Sequence, residues 1–221
     1  MFPYGKELFM DSTAFFKLTY GLYVVSTTLN GKDAGCIVNT LSQVTAEPAK
    51  LSVTINKDNA TEQMIEKSGR FAAVALTTSA DMDLIGRFGF HSSRDTDKFE
   101  GYSVHRDAND MPTITEHVAA RYSCRVVNQL DLGSHVLFVG EVCEAENISE
   151  LEVMTYSYYH QVKKGLTPKG APSYQSEQAQ EKSSETGFRC IVCGYHLESD
   201  TIPDDFVCPV CGMGKDHFKK L

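Results

Sequence analysis

A chain of 221 residues with 42% hydrophobic and 23% charged side chains has room for one packed domain and a smaller satellite. It holds no apolar run approaching the ~18 residues of a membrane span, and its formal net charge of −8 argues against a phosphate-tracking surface, which needs clustered Lys and Arg. Neither nucleic acid nor membrane is expected as a partner. Residues 1–6 (MFPYGK) lack the basic head, apolar stretch and cleavage site of a secretory leader, so a cytoplasmic protein is expected.

Residues 20–28 (YGLYVVSTT) are rich in β-branched and aromatic side chains, which predicts a strand. Asn30-Gly31 follows at once, a strong hairpin signal, and residues 34–41 are the expected return strand. Leu51, Val53 and Ile55 alternate with Ser52 and Thr54, predicting a strand over 50–55 with one buried face. Asn59 and Glu62 have the spacing of a capping box and Gly69 supplies a left-handed stop, so a helix is predicted over 60–67. Another strand is predicted over 71–76. From Val118 onward Ala120, Tyr122, Cys124 and Val126 alternate with Arg121, Ser123 and Arg125; Leu132-Gly133 then turns the chain into a strand over 135–142. Long strands at short spacing with few helices predict a mainly β fold, a closed or nearly closed antiparallel barrel.

Residues 166–187 lose apolar periodicity and fill with Pro, Gly, Ser, Gln and Glu, the composition of a mobile connector. The expected organisation is therefore a large domain over 1–165, a flexible linker over 166–187 and a small domain over 188–221. Of the seven cysteines, Cys36, Cys124 and Cys143 are scattered and expected to be buried as small hydrophobes. Cys190, Cys193, Cys208 and Cys211 form two Cys-x-x-Cys pairs. Each pair fits a tight turn that aims two sulfurs at one point, with Gly194 and Gly212 placed for a positive φ. Two such knuckles make a tetrahedral thiolate cage. Four thiolates suit zinc, giving a structural ribbon, or iron, giving a one-electron carrier. Phe188, Tyr195, Phe206 and Phe218 are candidates for a dry shell around it, and Glu198, Asp200, Asp204 and Asp205 for a docking surface.

The run Cys-x-x-Cys-Gly-Tyr, followed by Ile-Pro-Asp-Asp-Phe-Val-Cys-Pro-Val-Cys-Gly, resembles rubredoxin over the whole of 188–221. The stretch between the pairs is shortened and Phe206 stands where that family usually has Trp. This resemblance implies iron. Within 1–165 no Gly-rich phosphate fingerprint sits between a strand and a helix, so a Rossmann-type site is not supported. The stretches GLYVVSTTLNGKDAGCIVNTLSQVTAEPAKLSVTINKDNATEQMIEKSGRFAAVAL, FGFHSSRDTDKF and LGSHVLFVGEV are similar to the flavin reductase family. That resemblance implies an FMN-binding split β-barrel that forms a homodimer. It places FMN against Asn39, Thr40 and Leu41, against Asn56, Lys57, Asn59 and Thr61, and against His91, Ser92 and Arg94. It puts His135, the catalytic candidate, beside the flavin or incoming nicotinamide.

The chemistry of these residues is consistent, because a flavin ring edge takes short polar partners and its phosphate takes amides, hydroxyls and a cation. Asn59 reads equally as a helix cap and Arg94 as a solvated charge. Tyr158, with Tyr156, Tyr159 and His160, is placed either over the ring or in a dimer contact. The two resemblances together match the arrangement called high-molecular-weight rubredoxin. They imply electron transfer from NAD(P)H through FMN to the iron site and on to a redox protein, typically a flavodiiron oxygen or nitric oxide reductase. The alternatives are a flavin/iron carrier reduced by a separate reductase and a zinc-ribbon binding module on a flavin-free barrel.

Overall fold

The computed structural model describes residues 11–163, 165, 167, 170–173 and 186–221. Its main sheet has seven strands: β1 (Tyr23–Leu29), β2 (Lys32–Val38), β3 (Ser42–Ala46), β4 (Ala49–Asn56), β5 (Arg70–Leu76), β8 (Val118–Asp131) and β9 (His135–Asn147). Two short strands, β6 (Val104–Arg106) and β7 (Pro112–Ile114), make a separate hairpin. Helices α1 (Ala60–Ser68), α2 (Met82–Phe90) and α3 (Tyr156–Gln161) are interspersed. The C-terminal residues form a three-stranded sheet of β10 (Phe188–Cys190), β11 (His196–Leu197) and β12 (Phe218–Lys220).

The main sheet runs β2-β1-β5-β8-β9-β4-β3, and each adjacent pair is antiparallel. The β1–β2 hairpin turns at Asn30 and Gly31 with φ of 53° and 75°, the left-handed pair that a two-residue turn needs to match strand twist. Curling brings the end of β2 to β4: Thr40 Oγ1 donates to the Thr54 carbonyl at 2.7 Å and accepts from the Thr54 amide at 3.2 Å. No ladder joins these strands, so the barrel is split there. Inside it pack Val25, Val53, Ile65, Phe71 and Phe138. A second core of Leu22, Leu76, Leu84, Phe88 and Met154 lies beneath α2 and α3.

Asn59 caps α1 by accepting from the Thr61 amide at 2.9 Å, and Gly69 closes it with φ of 67° and a bond to the Ile65 carbonyl. The reciprocal half of the capping box is absent, because the Asn59 amide donates to the Asn56 carbonyl at 3.0 Å instead and Glu62 is buried. The segment after α2 is pinned by Lys98, which is buried and donates to the carbonyls of Gly35 and Phe88 at 2.8 and 2.9 Å. No described helix is long and apolar enough to cross a membrane. Cys36 and Cys124 are buried as expected, but Cys143 is exposed. The far half of β9 extends beyond the core, with residues 143–147 exposed.

Burial lowers Lys98 from 10.5 to about 8, which makes a stability prediction. Between those values the unfolded chain holds the proton and the folded chain has shed it, so stability rises with pH there. Relative to Lys98→Met, the native protein is expected to gain about 1.4 kcal/mol per pH unit through that window, read by urea denaturation of both proteins at each pH.

Candidate functional site

The four C-terminal cysteines converge. Their sulfurs all lie within 4.8 Å of one another and all four residues are buried, with Cys190 to Cys211 at 3.6 Å and Cys193 to Cys208 at 3.5 Å. Four sulfurs about 2.3 Å from a central ion would be separated by about 3.8 Å, so the cage has the size of a mononuclear site. Local backbone geometry explains it. Gly194 and Gly212 sit at φ of 80° and 70°, and their amides donate to the carbonyls of Cys190 and Cys208, both at 2.9 Å. The two knuckles are thus built alike.

The amides of Val192 and Cys193 hydrogen-bond to the Cys190 sulfur, that of Tyr195 to Cys193, and that of Met213 to Cys211. Such donors stabilise thiolate charge and tune a bound metal. Burial pushes the Cys193 thiol up and the Cys211 thiol to about 12, so a fully ionised cage needs a cation at its centre. Tyr195 and Phe218 pack against the cysteines, and Phe206 meets Phe218 edge-on at 5.3 Å. Phe188 instead pairs along β10 with Leu197 and Lys220. Of the acidic candidates, Asp204 is ion-paired with Lys215, while Glu198, Asp200 and Asp205 are exposed.

A cavity of about 300 Å³ opens at the split of the barrel, the lower end of the range for ligand pockets. One wall carries Asn39 and Thr40 after β2; another carries Asn56, the last residue of β4, with Asp58 and Asn59 leading into α1. Ile85, Gly89 and Phe90 of α2 and the tyrosines Tyr156 and Tyr159 form the apolar side. Among the sequence-predicted residues, therefore, Asn39, Thr40, Asn56 and Asn59 come together. Thr61 stands just behind, buried, with its hydroxyl lacking a nitrogen or oxygen partner among the described residues. The Asn39 side offers short polar groups of the kind a flavin ring edge takes, and the α1 N-terminus with Asn56 and Asn59 offers groups of the kind a phosphate takes.

The other candidates stand apart from this cavity. Leu41 packs into the barrel core with Val38, Leu51 and Val53 because its side chain faces inward. Lys57 is turned away into an ion pair with Asp131 at 2.6 Å. His91, Ser92 and Arg94 are not among the pocket-lining residues: they follow the C-terminal end of α2, Ser92 Oγ accepts from the Arg94 amide at 3.1 Å, and Arg94 is exposed. All three tyrosines of α3 pack in or on the second core; Tyr156 and Tyr159, one helical turn apart and stacked with centroids at 5.9 Å, also line the cavity, and Tyr158 does not.

His135 opens β9 opposite Asn56. Its Nε2 meets the Gly170 carbonyl at 3.3 Å and its Nδ1 meets Ser134 Oγ at 2.8 Å; since a carbonyl only accepts, Nε2 is the donor to Gly170. His160 Nδ1 likewise donates to the Gly165 carbonyl at 2.7 Å, and burial holds its pKa below the usual histidine range. Residues 170–173 belong to the expected linker but lie on the barrel: Asn56 Nδ2 donates to the Gly170 carbonyl at 3.2 Å, Asn39 Nδ2 to Ser173 Oγ at 3.0 Å, and Ser173 Oγ to the Tyr156 hydroxyl at 3.1 Å. Most of the remaining linker, including 174–185, lies outside the described residues.

Residues 15–167 match the model of the flavin reductase like domain. The chain belongs to that family. Residues 188–219 match the rubrerythrin, rubredoxin-like domain, and nearly the whole chain aligns with a relative from Moorella thermoacetica, "High molecular weight rubredoxin". That protein is 34% identical over 96% of this chain and 100% of its own length. A "Ferric-chelate reductase (NAD(P)H)" from Archaeoglobus fulgidus is 41% identical over 75% of this chain and 98% of its own length. Among solved structures, flavoredoxin from Methanosarcina acetivorans superposes with a TM-score of 0.57 at 23% identity, covering 66% of this chain and 77% of that one. The protein is thus a flavin-reductase-like, FMN-binding split barrel fused to a rubredoxin-like four-cysteine domain.

Proposed function

We propose that this protein is an NAD(P)H-linked electron-transfer oxidoreductase in which the barrel takes electrons from NAD(P)H and the C-terminal domain hands them singly to a downstream redox protein. The observation that carries the reading is the presence, in one chain, of a polar-walled pocket on a flavin reductase barrel and a buried four-sulfur cage. The NAD(P)H named for the Archaeoglobus fulgidus relative supports the donor. When bound, FMN accepts two electrons together and gives them up one at a time, and iron in four thiolates carries one. The barrel's own part is to hold the ring between Asn39 and the apolar wall of α2 and α3, with the phosphate toward Asn56 and Asn59. His135 does not line the cavity itself but donates from Nε2 to the Gly170 carbonyl, which does, and it is the proposed contact for the nicotinamide.

The cysteine domain supplies a dry cage and amide donors to sulfur. A flavodiiron-type protein is the proposed acceptor, reached through the exposed acids Glu198, Asp200 and Asp205, and a homodimer is the proposed assembly. Raising ionic strength is then expected to slow transfer between proteins more than flavin reduction, because salt screens the encounter of charged surfaces. The reading is tested by mixing the FMN-loaded, iron-loaded protein anaerobically with NAD(P)H and no other reductase. Flavin bleaching supports it. A flavin that yields only to a chemical reductant would make the protein a carrier served by a separate reductase.

For the pocket, Asn39→Ala is expected to weaken FMN about two- to tenfold by removing one hydrogen-bonding group, while Arg94→Ala leaves affinity unchanged. Fluorescence titration of the apoprotein checks both, and a loss confined to Arg94→Ala would move the phosphate site.

A further inference from the structure

Helix α2 has a second face, which meets the pocket only at Phe90. Met82, Gly86 and Phe90 recur every four residues and so share one stripe, and that stripe is covered by the C-terminal domain. Met82 and Phe90 pack against the four-cysteine cluster. Between them, a Cβ at Gly86 would run into the Val210 carbonyl oxygen, with the carbonyl carbon and Cγ1 of Val210 at 3.1 and 3.2 Å; those three atoms are the nearest neighbours of such a Cβ. Val210 sits between the ligand cysteines Cys208 and Cys211 and is 9% exposed. Beyond the helix end, a Cβ at Gly212 would lie 3.7 Å from His91 Cε1. A helix-interior glycine lowers stability by about 1 kcal/mol relative to alanine, and the backbone of the second knuckle fills the space that its missing side chain leaves.

Ile85 and Gly89, beside the stripe, line the cavity, and Phe90 does both: it lines the cavity and packs on the cysteine cluster. The pocket and the cage are therefore separated by about one helix thickness, on the order of 10 Å, with one aromatic side chain touching both. We propose that the α2 stripe is the docking face for the chain's own C-terminal domain and the exit by which electrons leave the barrel, with Gly86 the position that admits the second knuckle. This rests on the function proposed above. Each NAD(P)H then supplies two electrons and leaves NAD(P)⁺ and one proton; the chain's single ferric site would take the electrons one at a time, the downstream redox protein removing the first before the second arrives.

The test uses full-length protein loaded with FMN and iron, carrying Gly86→Leu or, as a second variant, Met82→Glu, which places a charge on the same face while suiting a helix N-terminus. Both variants are expected to retain FMN, iron and the native rate of flavin reduction by NAD(P)H. Electron arrival at iron is expected to slow roughly tenfold or more, because transfer depends on contact geometry. Small-angle scattering is expected to show a more extended molecule. Native electron arrival at iron and native scattering in both variants would overturn the docking face. If NAD(P)H fails to reduce even the native flavin, the functional reading fails instead; the docking face is still decided by scattering and by iron reduction after the flavin is reduced chemically.

Discussion

Replacing Cys208 by Ser is expected to empty the metal site and stop delivery of electrons to any protein acceptor, while the barrel keeps its fold and its flavin. Cys208 is buried in the cage, 3.5 Å from Cys193, and its backbone closes the second knuckle through Gly212 and Met213. A serine oxygen at that point is a harder and shorter donor than thiolate, so both charge and tetrahedral geometry are lost. Because much of the folding energy of so small a metal domain comes from the ion, the three-stranded sheet is expected to loosen as well. The seven-stranded sheet has its own two cores and is expected to be unaffected. Iron analysis should fall from one per chain to near zero with FMN content unchanged. Full iron retention, or stoichiometric zinc in native protein made under iron-replete anaerobic conditions, would contradict the assignment.

Cutting the chain after Ser173 is expected to separate the two halves of the activity. The cut keeps the residues from 170 to 173 that bond to Asn39, Asn56 and Tyr156, so the pocket stays complete. It removes all four ligand cysteines. Such a protein should still let NAD(P)H bleach its flavin at close to the native rate, whereas transfer to the downstream protein should fall by roughly a hundredfold or more, since no positioned one-electron relay remains. Delivery at the native rate by the shortened chain would remove the cysteine domain from the pathway.

The cysteine cage was readable because its geometry is local: two residues between each pair and a glycine after it suffice to orient the sulfurs. The β1–β2 hairpin and α1 were readable for the same reason, through Asn30-Gly31 and the Asn59 cap. Helix α2 was missed because Gly86 and Gly89 dilute its helical preference, and the reasons for those glycines lie elsewhere: Gly86 packs on Val210, and Gly89 lines the pocket. β3 was missed because all five of its residues are exposed and show no alternation. Along the cavity, Asn39 and Asn56 stand where the sequence shows polar residues at strand ends. The choice of Tyr156 and Tyr159 over Tyr158 depends on the pitch of a six-residue helix that no sequence period marks. Charge alone marks Lys57 and Arg94 as phosphate candidates, and only the fold shows that Lys57 pairs with Asp131 and that Arg94 is exposed.

The order of electron flow is the central claim, and one measurement addresses it: anaerobic stopped-flow mixing of intact, FMN- and iron-loaded protein with NAD(P)H, followed at wavelengths that separate flavin from iron. The account expects the flavin to bleach first and the iron afterwards, with flavin reoxidising as iron is reduced. Iron that bleaches before the flavin, or as fast in protein stripped of FMN, would contradict it.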